Sequence, residues 1–358
     1  MNVTVIGAGN EGLAMGAHLA REGNRVTLWN RSRVNIERLR ETRTIYCKGV
    51  IEGEYQVDLV TDNLEEALKN PDVVLITTPA NAHRDLAQQI AKCIKKETLI
   101  VLNPGRTFGA LEFQEVYRKY NTKVNQTIAE TQTILYTCRK ISSESVNIIA
   151  LKSNILISTL NADENAQLIH RLPECLRGYF TPAKSMIETS IGNVGMILHC
   201  APLLLNTGWT ESSNTYKYYY DGITPSIAKF LEKIDSERVE VSKKLGFEVE
   251  TTQQWFKRVY NVEGQNLYEC IHNTEAYRAV DAPTSLQHRY IFEDVPCGLV
   301  PLEAVGKKLG LEMKYTSLVI DLAVSLTDVD FRKIGRNLDF LCEYPDFKTL
   351  FERKNADE

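Results

Sequence analysis

The 358-residue sequence predicts two domains of different class, an N-terminal doubly wound α/β domain over residues 1–185 and a mainly α-helical domain over 186–358. Three observations predict this. The chain is longer than one ordinary domain, and each half could bury a core of its own. Short apolar strand-like runs alternate with amphipathic helical segments in the first half, the pattern of a largely parallel sheet. From about Ser185 the strand pattern fades and helical periodicity takes over, with no repeat or low-complexity linker at the junction.

The elements follow in order. Residues 2–6 form an apolar strand, Gly7-Ala-Gly-Asn-Glu-Gly12 a turn, Glu11 to Glu22 a helix and Arg25-Val-Thr-Leu-Trp29 a second strand, which together make one βαβ unit. Further strands are expected at Asp72–Thr77, Thr98–Leu102, Val124–Ala129, Val146–Ala150 and Asn154–Ser158, with amphipathic segments at Leu64–Lys69 and Ala82–Cys93. In the second half, Thr224 caps a helix with Pro225 in its first turn, and Gly246 ends it. Helices are also expected at Thr252–Tyr260, Leu302–Leu309 and Ser317–Leu326.

Gly7, Gly9 and Gly12 fit G-x-G-x-x-G between a strand and a helix, the Rossmann dinucleotide fingerprint. Gly7 permits the tight turn, Gly9 lets a pyrophosphate approach the backbone, and Gly12 lets helix and strand pack closely. Asn10 and Glu11 complete this candidate cofactor-binding set. An NAD site usually places a carboxylate after the second strand, whereas this chain has Asn30, Arg31 and Ser32, followed by Arg33. No carboxylate there repels a 2′-phosphate, and a guanidinium is available to pair with one, so NADP is favoured. The other reading is solvated arginines beside an NAD site. Thr77-Thr-Pro-Ala80 and Asn103-Pro-Gly105 fall at strand ends, where ligands of open α/β sheets bind. Thr78, Pro79, Asn103 and Gly105 therefore join the cofactor candidates, although plain turn chemistry also accounts for them.

A formal net charge of −4 with 25% charged residues offers no global attraction to nucleic acid or an anionic membrane. The longest apolar run, Gly195 to Leu205, is interrupted by His199 and Pro202 and is too short to span a bilayer. No basic segment or apolar signal core precedes the first strand, so the cytoplasm is the expected compartment. The eight cysteines are scattered without a CxxC pair and read as thiols in a reducing compartment. The histidines include no HExxH, and no metal site is expected.

Two polar features interrupt the helical half. His199 lies in an apolar helix three residues before Pro202, which cannot donate to the carbonyl of Leu198 and is expected to kink or end the helix there. It reads either as a satisfied core histidine or as a ring aimed into a cleft. Arg289, Glu293 and Asp294 lie among aromatics just before Pro296-Cys-Gly298. They read as a surface ion-pair cluster or, with a carboxylate beside His199, as part of an acid/base pair.

With these elements in order, the sequence resembles the opine dehydrogenase family. The resemblance runs through the glycine turn, Leu102–Phe113, Glu130–Arg139, the His199 helix, Tyr218–Ser226 and Arg289–Pro301. It implies NAD(P)H-dependent reductive condensation of an amino acid amine with a 2-oxo acid such as pyruvate, through an imine. It further implies that His199 is the catalytic histidine, Asp294 its aspartate partner and Arg289 the arginine that holds a substrate carboxylate. A close relative in that family carries acidic residues after the second strand where this chain has Asn30 and Arg31, so coenzyme choice does not follow from the resemblance. Asn193, Thr207, Trp209 and Tyr218 are pocket-wall candidates, with ordinary packing as the other reading. A glycerol-3-phosphate dehydrogenase shares the two-domain plan, but that chemistry wants a lysine on the first helix of the second domain, and Gly192 to Asn206 has none. A nonenzymic NAD(P)-sensing protein is the remaining alternative. The expected partners are small-molecule substrates, and a homodimer is expected from an exposed apolar helix face in the second domain.

Overall fold

A computed structural model describes residues 1–344 and 346–351. The chain forms two compact units, Met1–Ser190 with the described residues from Lys348 onward, and Ile191–Phe347.

The first unit is built on an eight-stranded sheet. Its strands are β1 (Asn2–Ile6), β2 (Arg25–Trp29), β5 (Leu59–Thr61), β6 (Val73–Ile76), β7 (Leu99–Leu102), β8 (Thr127–Thr131), β11 (Ile155–Thr159) and β12 (Phe180–Pro182). Their order is β12-β11-β8-β7-β6-β1-β2-β5, and only the β8–β11 pair is antiparallel. β6 and β7 read Val-Val-Leu-Ile and Leu-Ile-Val-Leu and are buried throughout, as central strands covered on both faces must be. Register places the site: Ile6 pairs with Trp29 and Ile76, and Ile76 with Leu102. The segments that follow, at Gly7, Asn30, Thr77 and Asn103, therefore leave the sheet side by side.

A second, four-stranded sheet was not expected. It comprises β3 (Thr44–Gly49), β4 (Gly53–Gln56), β9 (Tyr136–Ser142) and β10 (Ser145–Leu151), ordered β4-β3-β10-β9. The strand expected at Val146–Ala150 belongs here rather than to the parallel sheet. Its buried positions, Val146 and Ile148, alternate, so only one face is covered. That face packs on helix α1 (Asn10–Arg21) in a common core containing Leu13, Met15, Leu19, Ile45, Tyr136, Val146 and Ile148. The 186–358 expectation also needs correction at its end, because Phe351 is buried and its ring lies 5.6 Å from that of Phe108 in the first unit, tilted by 38°.

The second unit is helical. The helix Gly195–Leu205 is buried on nearly every side, consistent with a sequence apolar all round. Pro202 does not end the helix, which continues to Leu205. The proline sits close enough to the end that one lost hydrogen bond is outweighed by burial of the apolar turn, and Asn206 Nδ2 donates to the Pro202 carbonyl at 2.7 Å. The 20-residue helix Pro225–Lys244 starts at Thr224, whose hydroxyl accepts from Ile227 N–H. Inside it, fully buried Arg238 pairs with Asp235 and donates to the carbonyls of Ile191 and Glu250 at 2.7 and 2.6 Å. Asp235 also accepts from Thr252 N–H and hydroxyl, so both buried charges are satisfied.

Candidate functional site

The glycine turn has the geometry its sequence requires. Gly7 has φ +113° and donates its N–H to the Trp29 carbonyl at 2.8 Å. A Cβ at Gly12 would collide with the Gly7 carbonyl, whereas one at Gly9 would meet nothing within 4 Å. The turn is thus closed toward the sheet and open on its outer side, at the start of a 12-residue helix whose first N–H groups have no partner within the helix. Beside it, the Thr78 hydroxyl is buried and lacks a hydrogen-bond partner. These features fit a dinucleotide phosphate held by the N–H groups of the turn and by Thr78.

The other candidates divide by role. Asn30 Oδ1 accepts from Ala8 N–H at 3.2 Å and its amide donates to the Ser32 carbonyl, so Asn30 ties the turn to the end of β2. Arg31 and Ser32 are exposed, and no carboxylate pairs with Arg31 among the described residues. The side chains of Asn10 and Glu11 are turned to the second sheet, accepting from Lys140 N–H at 2.7 Å and Leu135 N–H at 3.1 Å. Pro79 is exposed. Asn103 is buried, accepting from the Thr131 hydroxyl at 2.9 Å.

Glu130, given no role from sequence, organises the loop after β7. It is fully buried and accepts from Ala110 N–H and the Thr189 hydroxyl, both at 2.9 Å, and from the Ser190 hydroxyl. Gly105 must be glycine because a Cβ would strike the Glu130 carboxylate. A carboxylate at a strand end, before two hydroxyl residues about sixty positions later, leaves no local sequence signal.

In the second unit, His199 and Asp294 meet. His199 Nδ1 lies 2.8 Å from Asp294 Oδ2; the histidine side chain is 17% exposed and the aspartate side chain 0%. An ionised carboxylate can only accept, so Nδ1 carries the proton and donates, leaving Nε2 as the unprotonated nitrogen of the neutral ring. Asp294 is brought there by one turn of π-helix, Val295–Leu299, which follows it directly. Within that turn Gly298 approaches the histidine helix so closely that a Cβ would fall 2.8 Å from Met196 Cβ.

The imidazole is held on further sides. The Tyr290 ring stacks on it at 4.0 Å and 11°, and the Tyr218 hydroxyl donates to the His199 carbonyl at 2.5 Å. His288 packs edge-on against Tyr290, and burial, then the Arg289 charge, keep its pKa below the usual imidazole value. Arg289 is 53% exposed and pairs with buried Glu293 at 3.1 Å, an orienting contact that leaves most of a five-donor guanidinium available. Of the pocket-wall candidates, Tyr218 reaches the histidine backbone. Asn193 accepts from Gly195 N–H at 3.0 Å while its Nδ2 is buried without a partner. Thr207 bonds back to the Leu204 carbonyl and Trp209 stacks on Tyr216.

Over 338 residues the chain is 36% identical to the opine dehydrogenase of Arthrobacter sp. (strain 1C), covering 94% of each chain. The chain belongs to the opine dehydrogenase family. The family description "NAD/NADP octopine/nopaline dehydrogenase, alpha-helical domain" matches residues 182–327, and "NAD-dependent glycerol-3-phosphate dehydrogenase N-terminus" matches residues 2–108. Octopine dehydrogenase in complex with NADH and agmatine, and NADP+-bound yersinopine dehydrogenase, share the fold. Each has a TM-score of 0.76, at 20% and 16% identity, over 94% of this chain and 93% of theirs.

The protein is accordingly an NAD(P)-dependent oxidoreductase of the CH–NH group, catalysing reductive condensation of an amino acid with a 2-oxo acid. The glycerol-3-phosphate dehydrogenase alternative survives only as a likeness of the first half. No helix among the described residues is long and apolar enough to cross a membrane.

Proposed function

We propose that His199, Asp294 and Arg289 carry the chemistry of this opine dehydrogenase and that NADPH is its preferred reductant. The observation that carries the proposal is the 2.8 Å pairing of His199 with a wholly buried Asp294. In the reaction the amine attacks the 2-oxo carbonyl, water leaves, and the C=N bond gains a hydride and a proton to become a secondary amine. Bound NADPH supplies the hydride. His199 Nε2 delivers a proton to the carbonyl oxygen as the amine adds, recovers one from the amine nitrogen, and passes it to the hydroxyl that departs as water, while the nitrogen's second proton leaves as the imine forms. Asp294 fixes the tautomer and stabilises the protonated ring, and stacked Tyr290 restricts its orientation. Arg289, oriented by Glu293, holds a substrate carboxylate through a two-pronged contact. NADPH preference is supported by the exposed Arg31 and the absence of a carboxylate at Asn30.

Operation in the cytoplasm, supported by eight cysteines held in no disulfide, and as a homodimer, supported by exposed Leu318 and Leu326 on one helix, belong to the same proposal.

The test is oxidation of NADPH and of NADH with pyruvate and a panel of amino acids, with product masses. The expected product mass is the two acids combined, less water, plus two hydrogens. His199→Ala is expected to lose turnover and keep cofactor binding. A near wild-type kcat in that variant refutes the assignment.

A further inference from the structure

The second sheet carries a cation to the glycine turn. Lys140 lies on β9, the edge strand beside the N-terminus of α1. Its backbone N–H is held by Asn10 Oδ1 at 2.7 Å, and its ammonium donates to the Ala8 carbonyl at 3.0 Å. The whole residue is therefore clamped to Gly7-Ala-Gly-Asn10. An ammonium has three N–H groups, and the Ala8 carbonyl uses one.

The group is also electrostatically incomplete. Lys140 is half-buried, and burial holds its pKa below the usual lysine value. No carboxylate among the described residues pairs with it. Lys152, which interacts with Glu11 of α1, differs. Burial lowers its pKa, but the Glu11 carboxylate partly compensates it. A partly desolvated cation lacking an anion costs stability unless an anion binds beside it. Here the cation adjoins an element built to receive phosphate, an outward-open glycine turn at a helix N-terminus.

We propose that Lys140 is a phosphate ligand of the cofactor, pairing with the pyrophosphate at the glycine turn. The proposal rests on NAD(P) binding at this turn. It also gives the second sheet a function: by packing on α1, it places a charge that the backbone of the fingerprint lacks. The pyrophosphate is common to NADH and NADPH, so Lys140 serves both, whereas Arg31 discriminates between them.

The experiment is equilibrium titration of NADH and of NADPH by fluorescence, in the wild type and in Lys140→Gln, Lys140→Met and Lys140→Arg. Glutamine can keep a bond to the Ala8 carbonyl while removing the charge. The expected result is a Kd raised roughly tenfold or more for both cofactors in Lys140→Gln and Lys140→Met, and largely restored in Lys140→Arg. In turnover, KM for the cofactor rises and kcat is retained. Melting of the cofactor-free variants reports folding, and Lys140→Gln is decisive if Lys140→Met does not fold. Unchanged affinity of Lys140→Gln for both cofactors overturns the proposal, leaving Lys140 as a structural tie. A loss confined to NADPH also overturns it, moving the contact to the 2′-phosphate.

Discussion

Replacing Asp294 by asparagine preserves shape and removes one charge beside His199. The pair is short, at 2.8 Å, and the carboxylate is wholly buried, so solvent cannot substitute for it. Two opposite charges about 4 Å apart interact by about 4 kcal/mol at an effective dielectric near 20. A neutral hydrogen bond from the ring to the asparagine oxygen retains about 1 kcal/mol of this. The remaining loss, about 3 kcal/mol, falls on states in which the ring is protonated, and it corresponds to roughly a hundredfold in kcat. The assay is steady-state NADPH oxidation at saturating substrates across the neutral pH range, alongside equilibrium NADPH binding, which is expected to be unchanged. A kcat within a few-fold of wild type throughout that range refutes the reasoning, because the buried charge then contributes nothing to the chemistry.

Other expectations concern the coenzyme and the acid limb of stability. Arg31→Ala is expected to raise KM for NADPH roughly tenfold and leave that for NADH unaltered, and equal behaviour toward both cofactors contradicts the 2′-phosphate assignment. Burial pushes the Glu303 carboxyl up, but bonds from Arg332, Lys307 and Ser317 outweigh it and hold the pKa at about 2. A depressed carboxylate stabilises the fold above its unfolded pKa, about 4.5, and that contribution is lost as pH falls toward 2. Glu303→Gln is expected to cost about 2–3 kcal/mol at neutral pH and little in strong acid, as read from urea unfolding in the two conditions. A deficit independent of pH is incompatible with this account.

The legible parts of the sequence were those governed by local rules. The βαβ opening, the glycine turn, the Thr224 cap and Gly246 stop are short-range patterns, and long apolar or periodic segments marked β6, β7 and the helices of the second unit. His199 and Asp294 are legible as a pair only through the family resemblance, since 95 residues separate them and no spacing rule joins them. That the helix does not end at Pro202 is not legible locally, because local propensity penalises the proline while the burial that overrides it is tertiary.

Sequence by itself determined the two-domain plan, the dinucleotide turn and the residue types available for proton transfer, because backbone sterics and hydrophobic periodicity act over a few residues. Only the tertiary structure decided that Val146–Ala150 joins a second sheet, that Glu130 anchors the loop after β7, and that Lys140 reaches the turn 132 residues away. It also decided that Tyr290 lies flat on His199. These are long-range pairings, fixed by which half-covered faces find each other on folding, and no window of sequence contains both partners.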